Sequence, residues 1–284
     1  MSRFYMDKPL PKLNNPEKYE PDKGLVDAAN VALMLGQPLL LTGEAGTGKT
    51  QFAYFLAHEL NQSEPLRFNT KSTSVAQALF YEFDTLKRYH DLQASIDLDK
   101  EQYVKYQALG KAIKEADNLE QHQVVLIDEI DKAPRDFPND ILNEVENSCF
   151  EVLETEKTFR VNDPNKQPIL VLTSNSEKHL PDAFLRRCAY YHIKFPEKDK
   201  LGEIVKARLP DFPEDKNLDE QLDLFLTLRD DGNLRKKPAT AELLSWLVLL
   251  QNTPNELLKG QNWYLSALVK NREDWDTAKG LLSK

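Results

Sequence analysis

Gly43-Glu44-Ala45-Gly46-Thr47-Gly48-Lys49-Thr50 decides how this chain is read. The stretch fits the pattern Gly-x-x-x-x-Gly-Lys-Ser/Thr at every fixed position. The apolar run Pro38-Leu39-Leu40-Leu41 before it reads as a short buried strand. Phe52-Ala53-Tyr54-Phe55-Leu56-Ala57 after it reads as the first turns of a helix. That strand–loop–helix setting is what the pattern needs to mean phosphate binding. Its glycines let successive N–H groups converge on one spot, and the helix N-terminus adds its dipole there. Lys49 is then placed to reach the β- and γ-phosphates of a nucleotide, and the Thr50 hydroxyl to hold magnesium.

A phosphate loop alone indicates binding, not hydrolysis. The second signal is Val124-Val125-Leu126-Ile127-Asp128-Glu129-Ile130-Asp131. Four apolar residues in a row suit a strand buried on both faces. Carboxylates at its C-terminal end lie where open parallel sheets bind ligands. Asp128 is placed to hold the magnesium, and Glu129 to polarise an attacking water. A third strand, Pro168-Ile169-Leu170-Val171-Leu172-Thr173-Ser174-Asn175, ends on a polar residue, and Asn175 is placed to orient that water beside Glu129.

These stretches, followed by Pro181-Asp182-Ala183-Phe184-Leu185-Arg186-Arg187, resemble an AAA+ ATPase. The closer likeness is to the MoxR branch, on Pro38–Glu44, Leu126–Ala133 and Asp136-Phe137-Pro138-Asn139-Asp140. The likeness covers roughly residues 20–250. It implies ATP and Mg²⁺ as cofactors, a homo-oligomeric ring, usually a hexamer, and ATP-driven, chaperone-like remodelling of a separate partner, often one with a von Willebrand factor A domain. The implied nucleotide contacts are Gly43, Glu44, Ala45, Gly46, Thr47, Gly48, Lys49, Thr50 and Gln51, with Thr50 and Asp128 on the metal. Glu129 and Asn175 are the implied catalytic residues. The resemblance also implies a finger arginine presented to the neighbouring subunit, at Arg187 or the adjacent Arg186; a guanidinium is always charged and forks onto phosphate oxygens. The family usually carries a further arginine just after a proline at the start of a lid helix. Here Ala239 follows Pro238, leaving Arg235, Lys236 or Lys237 as substitutes or as a solvated basic turn.

The implied fold class is α/β: a parallel-sheet P-loop core with helical and β-hairpin insertions, followed by a small all-α lid. Strands alternating with helices argue independently for such a sheet. The expected division is an extended leader over 1–21, the nucleotide-binding core over 22–196 and the lid over 197–284. Pro9, Pro11, Pro16 and Pro21 mark the leader, whose Tyr19 either stacks near the adenine or sits on the surface. Helical spacing predicts a helix over 22–36 ending at Gly36, and two or three helices over 71–120, from Leu79, Phe80, Phe83 and Leu86 and then Tyr103, Tyr106 and Leu109. Alternation at Phe150, Val152, Phe159 and Val161 around Glu154-Thr155-Glu156 predicts a hairpin. Beyond Phe195-Pro196 the apolar spacing is helical throughout, with the tryptophans Trp246, Trp263 and Trp275 as core.

The 284 residues are 40% hydrophobic and carry a formal net charge of -9. An acidic chain disfavours wrapping nucleic acid. Cys149 and Cys188 make no disulfide framework, which fits a reducing cytoplasm. No apolar run is long enough to span a membrane. The histidines His58, His90, His122, His179 and His192 are dispersed, without metal-ligand spacing. Two functional readings share one site: a remodelling ATPase, and a nucleotide-gated scaffold that assembles on ATP. ATP is preferred over GTP through the resemblance alone.

Overall fold

The computed structural model of the chain describes residues 15–62, 64–96, 98–119, 122–176, 180–230, 234–253 and 263–282. Its central layer is a five-stranded sheet. The strands are β1 (Leu39–Thr42), β2 (Leu66–Asn69), β5 (Val124–Asp128), β8 (Ile169–Ser174) and β9 (Ala189–His192), in the order β2-β5-β8-β1-β9. Every pairing in it is parallel: Leu39 faces Val171, Val125 faces Leu170, and Phe68 faces Ile127. The inner strands are apolar along their length because both faces are covered. Leu40 and Leu41 of β1 and Val124–Ile127 of β5 are 0% exposed. Each such residue contributes on the order of 1.5–3 kcal/mol by leaving water.

Helix α1 (Lys23–Leu35) precedes β1. The Asp22 carboxylate accepts from Leu25 N–H at its start, and Gly36, at φ 62°, closes its end in the left-handed region. Helix α2 (Lys49–Glu59) follows the phosphate loop and buries Phe52, Ala53, Leu56 and Ala57.

Between β2 and β5 the chain makes β3 (Tyr81–Phe83), α3 (Thr85–Gln93), β4 (Val104–Tyr106) and α4 (Ala108–Glu115). Two helices are therefore present as expected, but Tyr81–Phe83 and Val104–Tyr106 form an antiparallel ribbon instead of helix. Phe80 with Phe83 and Tyr103 with Tyr106 fit a helical spacing of three, while Tyr81 with Phe83 and Val104 with Tyr106 fit an alternating one over the same short runs. Packing decides between them. The Tyr106 ring lies edge-on to Phe159 and Phe150, with centroids 5.5 and 6.2 Å apart, and Phe80 stacks on Phe150. The partner hairpin is β6 (Cys149–Val152) with β7 (Lys157–Arg160), where the alternation of Phe150 and Val152 placed it. Glu101 joins the two insertions, accepting from Tyr106 and pairing with Lys114 and Lys157.

The strand β9 was not expected from its sequence. It is an edge strand, Ala-Tyr-Tyr-His, with Tyr190 exposed, and lacks the apolar run that marks β1, β5 and β8.

The chain divides into two compact units. One comprises Pro21–Gly43 and Lys49–Ile193; the other comprises Lys194–Lys284, Met1–Glu20 and the loop residues Glu44–Gly48. The second unit is helical: α8 (Lys198–Arg208), α9 (Leu218–Asp230), α10 (Thr240–Asn252) and a last helix over Arg272–Leu282. Leu222, Phe225, Leu243, Trp246, Leu247 and Leu268 form its core. Asp274, wholly buried, accepts from the N–H groups of Arg235 and Lys236 and from the Asn271 amide. Burial works to raise its carboxyl, but those three donors outweigh it and hold the group below the usual range. The Trp263 side chain and His179 lie outside the described residues.

Gly110 of α4 fixes how tightly the first insertion packs. A Cβ there would sit 1.9 Å from the Phe80 carbonyl oxygen, which also accepts from Gln107 N–H. Backbone cannot yield as a flexible side chain does. Gly110→Ala is therefore expected to lower the unfolding free energy by about 3 kcal/mol in urea titration; a stability equal to wild type would show the insertion to be loosely packed.

Candidate functional site

Three strand ends bring the proposed catalytic side chains together. β1 ends before Gly43, β5 ends on Asp128, and β8 ends just before Asn175. The loop after β1 turns only because its glycines accept positive φ: 145° at Gly43, 78° at Gly46 and 96° at Gly48. Within it, Thr47 bonds back to the Glu44 carbonyl through its hydroxyl at 2.9 Å. Ala45 is exposed beside it, and Gln51 lies half-buried in the first turn of α2.

Lys49 opens α2 and is 7% exposed. Its ammonium donates to the Gly43 carbonyl at 2.8 Å and to Asn175 Oδ1 at 3.2 Å. A buried ammonium keeps its charge only with such acceptors around it. The Lys49 contact places Asn175 beside the loop, and the Asn175 N–H donates to Asp131.

Asp128 is 5% exposed and both its oxygens are engaged. Thr50 donates to Oδ1 at 2.9 Å and Thr173 to the same oxygen at 2.6 Å, while Arg67 pairs with Oδ2 at 2.6 Å. A threonine hydroxyl and a carboxylate oxygen within hydrogen-bond distance are hard oxygen donors of the kind that magnesium takes. The residues present fit that ion: Thr50 and Asp128 would hold it.

Glu129 occupies the left-handed region at φ 58°, ψ 50°. For a residue with a Cβ this backbone is strained, and such strain collects at functional sites. Its N–H donates to Thr173 Oγ1 at 2.8 Å and its carboxylate pairs with Lys132. The Thr173 hydroxyl thus serves two neighbours at once, receiving from the bend and donating to Asp128.

The arginines after α7 (Asp182–Leu185) stand apart from this cluster on the surface. Arg187 pairs with Glu146 and donates to the Ala183 carbonyl at 3.0 Å. Arg186 is exposed and makes no side-chain hydrogen bond or ion pair with a described residue.

In the helical unit, Arg235 pairs with Glu273 at 2.6 Å and is 69% exposed, and Lys236 and Lys237 are exposed. Tyr19 packs on the loop: a Cβ at Gly48 would come within 3.0 Å of its ring. Three residues were not singled out from sequence: Arg67, Thr173 and Arg229. The first two act through strand register, which a single chain does not display. Arg229 left a trace, since it stands four residues after Phe225 and seven after Leu222, on the buried stripe of α9.

Beside Arg187, Cys188 is half-buried, and desolvation pushes its thiol up to about 12.

The family described as "ATPase family associated with various cellular activities (AAA)" matches residues 39–197, more than half of the chain. Among solved structures, the Thermotoga maritima RuvB Holliday junction branch migration motor is similar over 92% of this chain and 67% of that one, at 16% identity and a TM-score of 0.44. No curated protein matches the chain. Among the described residues no helix is long and apolar enough to cross a membrane.

The double role of Thr173 is testable. Thr173→Val keeps the shape but strands the Glu129 N–H, which costs about 1–3 kcal/mol when buried. The variant is expected to unfold at lower urea by that amount, with Thr173→Ser recovering most of it. Equal stability of Thr173→Val and wild type would mean that the hydroxyl does not hold the bend.

Proposed function

The chain belongs to the AAA family of ATPases, and we propose that it acts as a MoxR-like ring ATPase, with Mg²⁺, remodelling a separate partner protein. The observation that carries the catalytic part is the convergence of Lys49, Thr50, Asp128 and Asn175 within hydrogen-bond distance at three parallel strand ends. Magnesium, when bound, neutralises charge developing on the phosphates.

The chain's own groups divide the remaining work. Lys49 exchanges the Gly43 carbonyl for phosphate oxygen and stays within reach of Asn175. Glu129, aimed by its strained bend, takes the proton of the attacking water. Asn175 orients that water, and its contact with Lys49 ties water position to phosphate position. The finger is Arg187 or Arg186, supplied to a neighbour's site; Arg187 must then exchange Glu146 for phosphate, whereas Arg186 has no described partner to leave.

The branch, the hexameric ring, the division into a core over 22–196 and a lid over 197–284, and a client with a von Willebrand factor A domain all rest on the motif resemblance. A cytoplasmic setting accords with two free cysteines. The nucleotide-gated scaffold uses the same residues, and Glu129→Gln separates it from the machine: loss of function with retained assembly supports remodelling.

ATP hydrolysis per subunit, measured across protein concentration, tests the ring. Specific activity is expected to climb as subunits complete one another's sites; a flat, substantial rate would mean a self-sufficient monomer. Arg187→Ala is expected to keep nucleotide binding and lose turnover by about 10³-fold or more, and normal turnover would move the finger to Arg186 or deny it. Lys49→Ala is expected to abolish the rise in melting temperature on adding Mg-ATP, because only a ligand bound to the native state stabilises it.

A further inference from the structure

Arg229 is the most buried cation among the described residues, at 4% exposed. Burial of a guanidinium demands partners, and this one has three. Nη1 donates to the Pro238 carbonyl at 2.7 Å. The guanidinium carbon lies 3.4 Å from the centroid of the Phe195 ring. Nη2 meets the carboxylate of Glu44 at 2.5 Å. Glu44 is the second residue of the phosphate loop, and its side chain is otherwise 57% exposed.

Two further contacts hold the same loop within the helical unit. Ala239, at the start of α10, lies so close to Gly46 that a Cβ on the glycine would come within 2.7 Å of the alanine methyl. Tyr19 lies against Gly48. Glu44–Gly48 accordingly belong to the same compact unit as the helices. Ala239 leaves no long side chain at that point to reach a phosphate, and Arg235 is spent on Glu273.

We propose that Arg229 is a positioning residue for the nucleotide site, acting through Glu44 to hold the phosphate loop and to cancel a carboxylate that would repel incoming phosphates. The proposal rests on the ATPase reading and adds a residue to it. Two physical effects follow from one contact. Anchoring the Glu44 side chain fixes the first peptide units of the cradle, whose N–H groups must converge on the ligand. Pairing also offsets a negative charge that would otherwise face a polyphosphate. Loss of the cation alone removes that compensation; loss of both groups removes the repulsion as well and leaves only the loosened loop.

The test is a double-mutant cycle on Mg-ADP affinity by titration calorimetry, using the full chain. Arg229→Met is expected to weaken binding at least tenfold. Adding Glu44→Gln to it is expected to recover at least threefold of that loss, a rescue that a purely structural role for Arg229 does not give. Should Arg229→Met fail to fold, Arg229→Lys replaces it in the cycle; an ammonium cannot serve Pro238 and Glu44 together as a planar fork does, and at least threefold coupling is expected. Independent effects, with Glu44→Gln changing affinity by the same factor in both backgrounds, would overturn the proposal while leaving the ATPase reading intact. A wild-type chain that binds no Mg-ADP would overturn both.

Discussion

The carboxylate of Asp128 is the constraint around which the site is organised. A charge this buried needs every oxygen engaged, and its partners come from three elements: Thr50 from α2, Thr173 from β8 and Arg67 from β2. Those contacts fix the level at which the strands end. If β8 slipped by one residue against β5, the Thr173 hydroxyl would turn to the other face of the sheet. Asp128 would lose a donor and the bend at Glu129 its acceptor. Strand register and site geometry are thus one problem solved together, and the apolar pairing of Leu126 with Val171 and Ile127 with Leu172 supplies the energy that holds the register.

Much of this was legible in the sequence because the informative residues are local. Glycines at fixed offsets, four apolar residues before Asp128, and Asn175 after another such run each declare a strand end within a few positions. Arg67 and Thr173 escaped notice for the opposite reason. Their partner lies 61 and 45 residues away, and an arginine or threonine in a strand carries no mark of what stands beside it. β9 escaped because an edge strand need not be apolar. The ribbon of β3 and β4 escaped because each short run holds both a pair three apart, as Phe80 with Phe83, and a pair two apart, as Tyr81 with Phe83, and only contact with Phe150 and Phe159 chooses between the two periods.

Arg229 is an intermediate case. Its place on the apolar stripe of α9 was readable as an anomaly, since a charge there must be paired. The identity of the pair was not readable, because Glu44 is 185 residues away. The arginine absent after Pro238 shows the reverse: a gap in a motif was visible, but the three cations nearest in sequence are turned to solvent or to Glu273. Proximity along the chain was the weaker guide, and burial the stronger.

The joint between the two insertions is interlocked by side chains from both sides. Phe80, Tyr106, Phe150 and Phe159 interleave across it, Glu101 grips both sides, and the Tyr81 hydroxyl accepts from the Leu153 N–H at the tip of the β6–β7 hairpin. Segments joined only by loops would absorb a push as bending. This interlock ties the hairpin tip, through Phe150 and Phe80, to the backbone that α4 packs against, so the two insertions are joined as one piece and not as two loops.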